Sequence, residues 1–212
     1  MNQHEQLIES LSRDLEPVAP VSSVNRQGLA WLVLSAIFVV AITHLVDPVR
    51  PGAYGQLVGQ PRFLLETLLG VAAIAWVGLL AFRSAVPGEL SRKFAMAGLA
   101  LMAMWLAQYV AGLVSPALEP SELGKRPFCY LETMIYAVPP ILVAMVLARR
   151  LYPLHYTRTA MSLALAAGMI PALYMQIACM YAPAHILQFH ILPGLSMVLA
   201  GAAIAALWRL PR

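Results

Sequence analysis

Six apolar runs organise this chain, and each is close to the roughly 20 residues that cross about 30 Å of hydrocarbon as a helix. They cover residues 28–46, 63–86, 94–114, 129–148, 161–181 and 186–208. The breaks between them, DPVRPGAYG, VPGELSRK, SPALEPSELGKRP, YPLHYTR and APA, are rich in turn-forming residues. Backbone groups in lipid must pair within their own segment, and no alternation of period two runs through these stretches, so all six read as helices. Of the 212 residues, 60% are hydrophobic and 11% charged, more apolar surface than a soluble interior of this size can hide. The fold class is therefore all-α, a polytopic membrane protein. Pro139 and Pro140, Pro171 and Pro193 are expected to kink or loosen the fourth, fifth and sixth helices.

Lysine and arginine set the orientation. Arg13, Arg26, Arg83, Arg92, Lys93, Arg149, Arg150, Arg158, Arg209 and Arg212 fall on one side, against Arg50, Arg62, Lys125 and Arg126 on the other. Ten against four places both termini in the cytoplasm of a multi-pass inner-membrane protein. The arginines punctuate the apolar runs and form no basic groove, which argues against direct nucleic-acid binding; membrane lipid is the expected neighbour. The opening MNQHEQLIESLSRDLEP is more acidic than basic and is not a signal peptide. Within residues 1–27, Leu7, Ile8, Leu11 and Leu15 fall in an arc of about 100° on a helix, with Arg13 and Asp14 at its edge. This short amphipathic segment, distinct from the membrane domain at 28–212, needs a surface to dock on. Its acidic balance favours a protein groove over the anionic inner leaflet.

Polar groups gather at the opposite face. Cys129 begins the fourth helix, Cys179 ends the fifth, and His185 and His190 begin the sixth. His44, Glu66 and Glu132 lie within a turn or so of the same side. Two cysteines without CxxC exclude a zinc finger or a disulfide-dense scaffold. The pair fits an oxidant- or metal-responsive sensor, a structural bridge, or two packing thiols. A transient metal ion is the one cofactor to consider, on Cys129, Cys179 and His190, with His185 as a further donor. Against it stands the five-residue spacing of His185 and His190, which an α-helix does not stack on one face. Glu132, three residues from Cys129, shares its face, yet both glutamates read best as loop-fixing groups. No H-E-x-x-H, G-x-S-x-G or P-loop occurs, so no enzyme is expected. A membrane thiol oxidoreductase or small-solute carrier is the alternative, although polar groups near the bilayer midplane are few.

The stretches LIESLSRDLEPV, PRFLLETLLGVAAIAWVGLLAFRSAVPG, CYLETMIYAVPPILVAMVLARRLYPL and ACMYAPAHILQFHILPG resemble the NrsF-like six-helix inner-membrane anti-sigma factors of bacteria. The resemblance covers nearly the whole chain. It implies a negative regulator that holds an extracytoplasmic-function sigma factor at the membrane and releases it under oxidative or heavy-metal stress. It also implies that Cys129 and Cys179 match the family's signal-responsive pair, and Phe189 with His190 its aromatic-histidine element. Ala178 stands where many members carry a histidine, a departure that favours thiol chemistry over a tightly held metal.

Overall fold

The computed structural model describes residues 2–13 and 23–208. Asp14 and Leu15, residues 16–22 of the EPVAPVSS stretch, Arg209 and Arg212 lie outside the described residues. Helix α1 is Gln3–Arg13 and α2 is Val24–Val46, followed by the short α3, Ala53–Gly59. Then come α4 Pro61–Ser84, α5 Arg92–Gly112, α6 Cys129–Arg149, α7 Tyr156–Ala178 and α8 Pro183–Ile186. A π-helical turn, Leu187–Ile191, joins α8 to α9, Leu192–Trp208. No strand occurs among the described residues. Six helical stretches are long and apolar enough to span a membrane: α2, α4, α5, α6, α7 and the α8–π–α9 unit.

The element ends follow local chemistry. Pro61 and Pro183 occupy first helical positions, where a missing N–H costs nothing, and the Ser91 hydroxyl caps α5 by accepting from the Phe94 N–H at 3.2 Å. Helix α2 begins at Val24, ahead of the apolar run, because polar Asn25 is used: its side chain accepts from Arg83 Nε at 2.9 Å. Helix α7 likewise starts at Tyr156, where Thr159 packs buried beneath Ser84 with their hydroxyls 3.1 Å apart. The same helix stops at Ala178, short of the expected residue 181, so Cys179 has extended backbone. The break 47–62, opening with DPVRPGAYG and expected as loop, contains α3.

Helix α7 is the axis of the bundle. Most of its residues are buried, and it packs against α2, α4, α6 and α9. Its closest partner is α9, along a seam of small residues. Carbonyl oxygens sit where side chains at Gly168 and Gly194 would go, and a Cβ at Gly201 would meet that of Ala164 at 2.6 Å. Without a hydrophobic drive between helices in lipid, such close backbone approach is what holds them together. The outward faces carry Leu34, Ile37, Leu99, Val110, Ile135 and Leu199, all exposed, as a lipid-facing surface requires.

Of the proline positions, α6 and α7 stay helical through Pro139, Pro140 and Pro171, and the loosening falls before Pro193. A proline cannot donate to the preceding turn and its ring crowds the carbonyl four residues back. The wider π repeat, in which Leu192 N–H donates to Leu187 O, relieves that crowding.

Candidate functional site: a buried thiol–imidazole cluster

Three elements converge at the end of the bundle where α6 begins and α7 ends. Cys129 is the first residue of α6 and Cys179 follows the last residue of α7. The hairpin that carries the chain from Cys179 into α8 is pinned on several sides. Ser121 N–H donates to Tyr181 O at 2.9 Å, Ala117 N–H donates to the Tyr181 hydroxyl at 3.0 Å, and Arg50 N–H donates to Ala178 O at 2.9 Å.

His185, on α8, lies over both thiols: its Nε2 is 3.4 Å from Cys129 Sγ and 3.6 Å from Cys179 Sγ. Phe189 stacks on the His185 ring at 4.8 Å, and the His190 ring meets it edge-on at 5.0 Å. One ligand atom from each of Cys129, Cys179, His185 and His190 lies within 4.8 Å of the others.

The expectation that a five-residue spacing keeps the two histidines apart is overturned here. At about 100° per residue an α-helix would separate them by roughly 140°. The intervening π turn, bonded from residue i to i+5, takes up one extra residue and brings them onto one side. The sequence signal that could have found it is Pro193, three positions after His190.

Cys129 and Cys179 are both free and both buried. His190 is completely buried and neither of its ring nitrogens has a hydrogen-bond partner. Burying an unpartnered imidazole is costly, and the cost is removed if a nitrogen becomes a ligand. A tetrahedral ion with bonds of about 2.0–2.3 Å holds its ligand atoms about 3.3–3.8 Å apart, so the cluster needs only a small contraction to embrace one. Two sulfurs and two imidazoles suit a soft or borderline ion. The Cys179 thiol is held below its ordinary range, chiefly by the hydrogen bond from Cys129; burial opposes this and His185 adds to it.

The remaining candidates have other duties. The Glu132 carboxylate accepts from Arg126 Nε at 2.8 Å. Arg126 in turn donates to Asp47 O at 2.7 Å, Pro48 O at 3.1 Å and Thr43 O at 3.3 Å, satisfying carbonyls at the end of α2. Glu66 pairs with Arg62 at 3.0 Å, and Arg62 also reaches Ser115. His44 bonds Tyr54 at 2.9 Å and stands apart from the cluster. Leu7, Ile8 and Leu11 are all exposed on α1, and Arg13 pairs with Glu9 at 2.7 Å. Sequence reasoning passed over Arg50, which lies buried beside this site with Nε and Nη2 unpartnered.

Fold and site together define a class: a six-span helical membrane protein with a Cys₂His₂ cluster buried at one end. Residues 11–209 match the family model described as NrsF, negative regulator of sigma F, and the chain belongs to that family. The match begins in the last turn of α1, so Leu7 and Ile8 precede it. It makes the chain a negative regulator with a sigma factor as its partner. No curated protein and no solved structure matches the chain.

Proposed function

We propose that this protein is an anti-sigma factor of the inner membrane that sequesters an extracytoplasmic-function sigma factor and releases it when its buried cluster is oxidised or takes up a thiophilic metal. The carrying observation is the meeting of both thiols and both imidazoles at one end of the bundle, within 4.8 Å, in a chain of a sigma-regulator family. Oxidation would join the two sulfurs, with two protons and two electrons passing to the oxidant. A bound ion would tie α6, α7 and the α8–π segment to one centre. The disulfide would draw the start of α6 to the end of α7, and an ion would draw in the α8–π segment as well.

The sigma factor would be held at the opposite, cytoplasmic face, where the charge count places the N-terminus. Helix α1 offers Leu7, Ile8 and Leu11 as an exposed apolar ridge, which Leu15 would extend, with Arg13 and Asp14 at its edge. An amphipathic helix of this kind docks by laying that ridge into a groove.

Leu11→Asp tests the contact. A charge placed in an apolar groove should weaken sigma binding by about tenfold or more and switch on the regulon without stress. Copurification of the sigma factor with wild-type and variant membranes reads the effect. Equal recovery from both, at equal membrane insertion, removes α1 as the contact.

A further inference from the structure

Two arginines are buried at the outer end of the bundle, and the chain treats them differently. Arg126, 2% exposed, has its guanidinium shared among Glu132, Asp47, Pro48 and Thr43. Arg50, 4% exposed, has no partner at Nε or Nη2, although both atoms are fully buried. Its backbone is fixed in place: the N–H is held by Ala178 O, immediately before Cys179, and its O accepts from Ala53 N–H at 3.2 Å. Gly124, at φ +77°, lies against it so tightly that a Cβ there would be 2.7 Å from the Arg50 Cβ. Val49 packs directly on the cluster formed by Cys129, Met175, Ala178, Cys179 and Met180. The ionisable groups close enough to act on Arg50 are Cys179 and Tyr181, and no carboxylate pairs with it among the described residues.

A buried guanidinium without a counter-ion is strongly unfavourable, whereas one beside an anion is tolerated. The anion-forming group nearest to the end of α7 is the thiol site itself. The charge balance of that site then depends on its occupant. Two thiolates around a monovalent ion sum to −1, which Arg50 cancels. Around a divalent ion they sum to zero, and Arg50 remains an uncompensated buried cation. Thiolate ligands already favour soft monovalent ions, so softness and charge act in the same direction.

We propose that Arg50 is the fixed counter-charge of the thiol–imidazole site and makes it prefer a soft monovalent cation, held by two thiolates, over a divalent one. This inference rests on the reading of the cluster as a ligand-binding sensor. Arg50 touches no ligand itself; it acts on the site through charge.

The test uses the full-length protein in lipid nanodiscs, titrated separately with Ag(I) and Cd(II), with metal–thiolate ultraviolet absorption as the readout. Arg50→Gln should lower the ratio of Ag(I) to Cd(II) affinity by about tenfold or more, because it removes a full charge next to the site. Arg50→Lys, which keeps the charge, should hold the ratio near the wild-type value. Arg50→Met serves as a second neutral replacement should Arg50→Gln not fold, with helix content checked by circular dichroism. If the neutral variants lose affinity for both ions equally, Arg50 only supports the loop and the proposal is overturned. Wild-type protein that binds both ions with a ratio unmoved by either neutral variant overturns this inference alone. Wild-type protein that binds neither ion overturns the ligand-site reading together with it.

Discussion

At the scale of single residues, the chemistry depends on which sulfur carries the negative charge. The Cys179 thiol is held low, chiefly by its neighbour Cys129, so the pair is expected to give up one proton well below the ordinary thiol range. An acid with a depressed folded pKa adds stability that is complete above its unfolded value, about 8.5 for cysteine. That stability is lost as the pH falls through the lowered folded value. Thiolate absorption in the wild-type protein should therefore persist well below pH 8.5 and account for one sulfur. In Cys129→Ala the largest cause of the shift is gone, and the onset of thiolate absorption should move upward toward the ordinary range. An unmoved onset would mean that Cys129 is not the donor.

At the scale of elements, the π turn is what turns a five-residue spacing into a site. Deleting Gln188, an exposed residue within Leu187–Ile191, removes the extra residue and lets the helix close with its ordinary repeat. His185 and His190 then stand four residues apart, about 40° round an α-helix, so both rings stay on the side of the thiols. The expected outcome is Cd(II) affinity within about threefold of wild type, with helix content unchanged. A loss of about tenfold or more would show that the rings need the wider turn itself.

This is also where the sequence reached its limit. The six spans were legible because a bilayer enforces length and apolarity, and the shared face of Cys129, Cys179, His185 and His190 followed from counting passes. Whether those groups meet was not legible, because the α-helical repeat assumed for the sixth span is broken by a turn only one residue wider. The end of α7 at Ala178, which frees Cys179 to point into the cluster, was hidden inside a run still apolar at Met180 and Tyr181. Arg50 was counted only as a topology charge, since nothing in one dimension says that its partners are missing.

At the scale of the whole molecule, six passes put the start of α2 and the end of α9 on one face and the cluster on the other. A regulator that responds at that cluster would have to carry the change through the bundle to the other face, and the α7–α9 seam is the direct route. Cys179 follows α7, His190 leads into α9, and the two helices meet backbone to backbone at Gly168 and Gly194. A close-packed seam of this kind moves as a unit or not at all. The layout itself can be checked with a variant lacking both native cysteines and carrying one new one. Ser10→Cys lies on the exposed ridge-bearing helix, and Leu123→Cys is exposed between α5 and α6. In cells with a permeabilised outer membrane, an impermeant maleimide should label Leu123→Cys and leave Ser10→Cys untouched until the inner membrane is opened. The ten-to-four distribution of Lys and Arg is what sets that direction. The reverse pattern would put the thiol cluster in the reducing cytoplasm, where a disulfide has little standing as a signal, and would place α1 beyond the reach of any sigma factor.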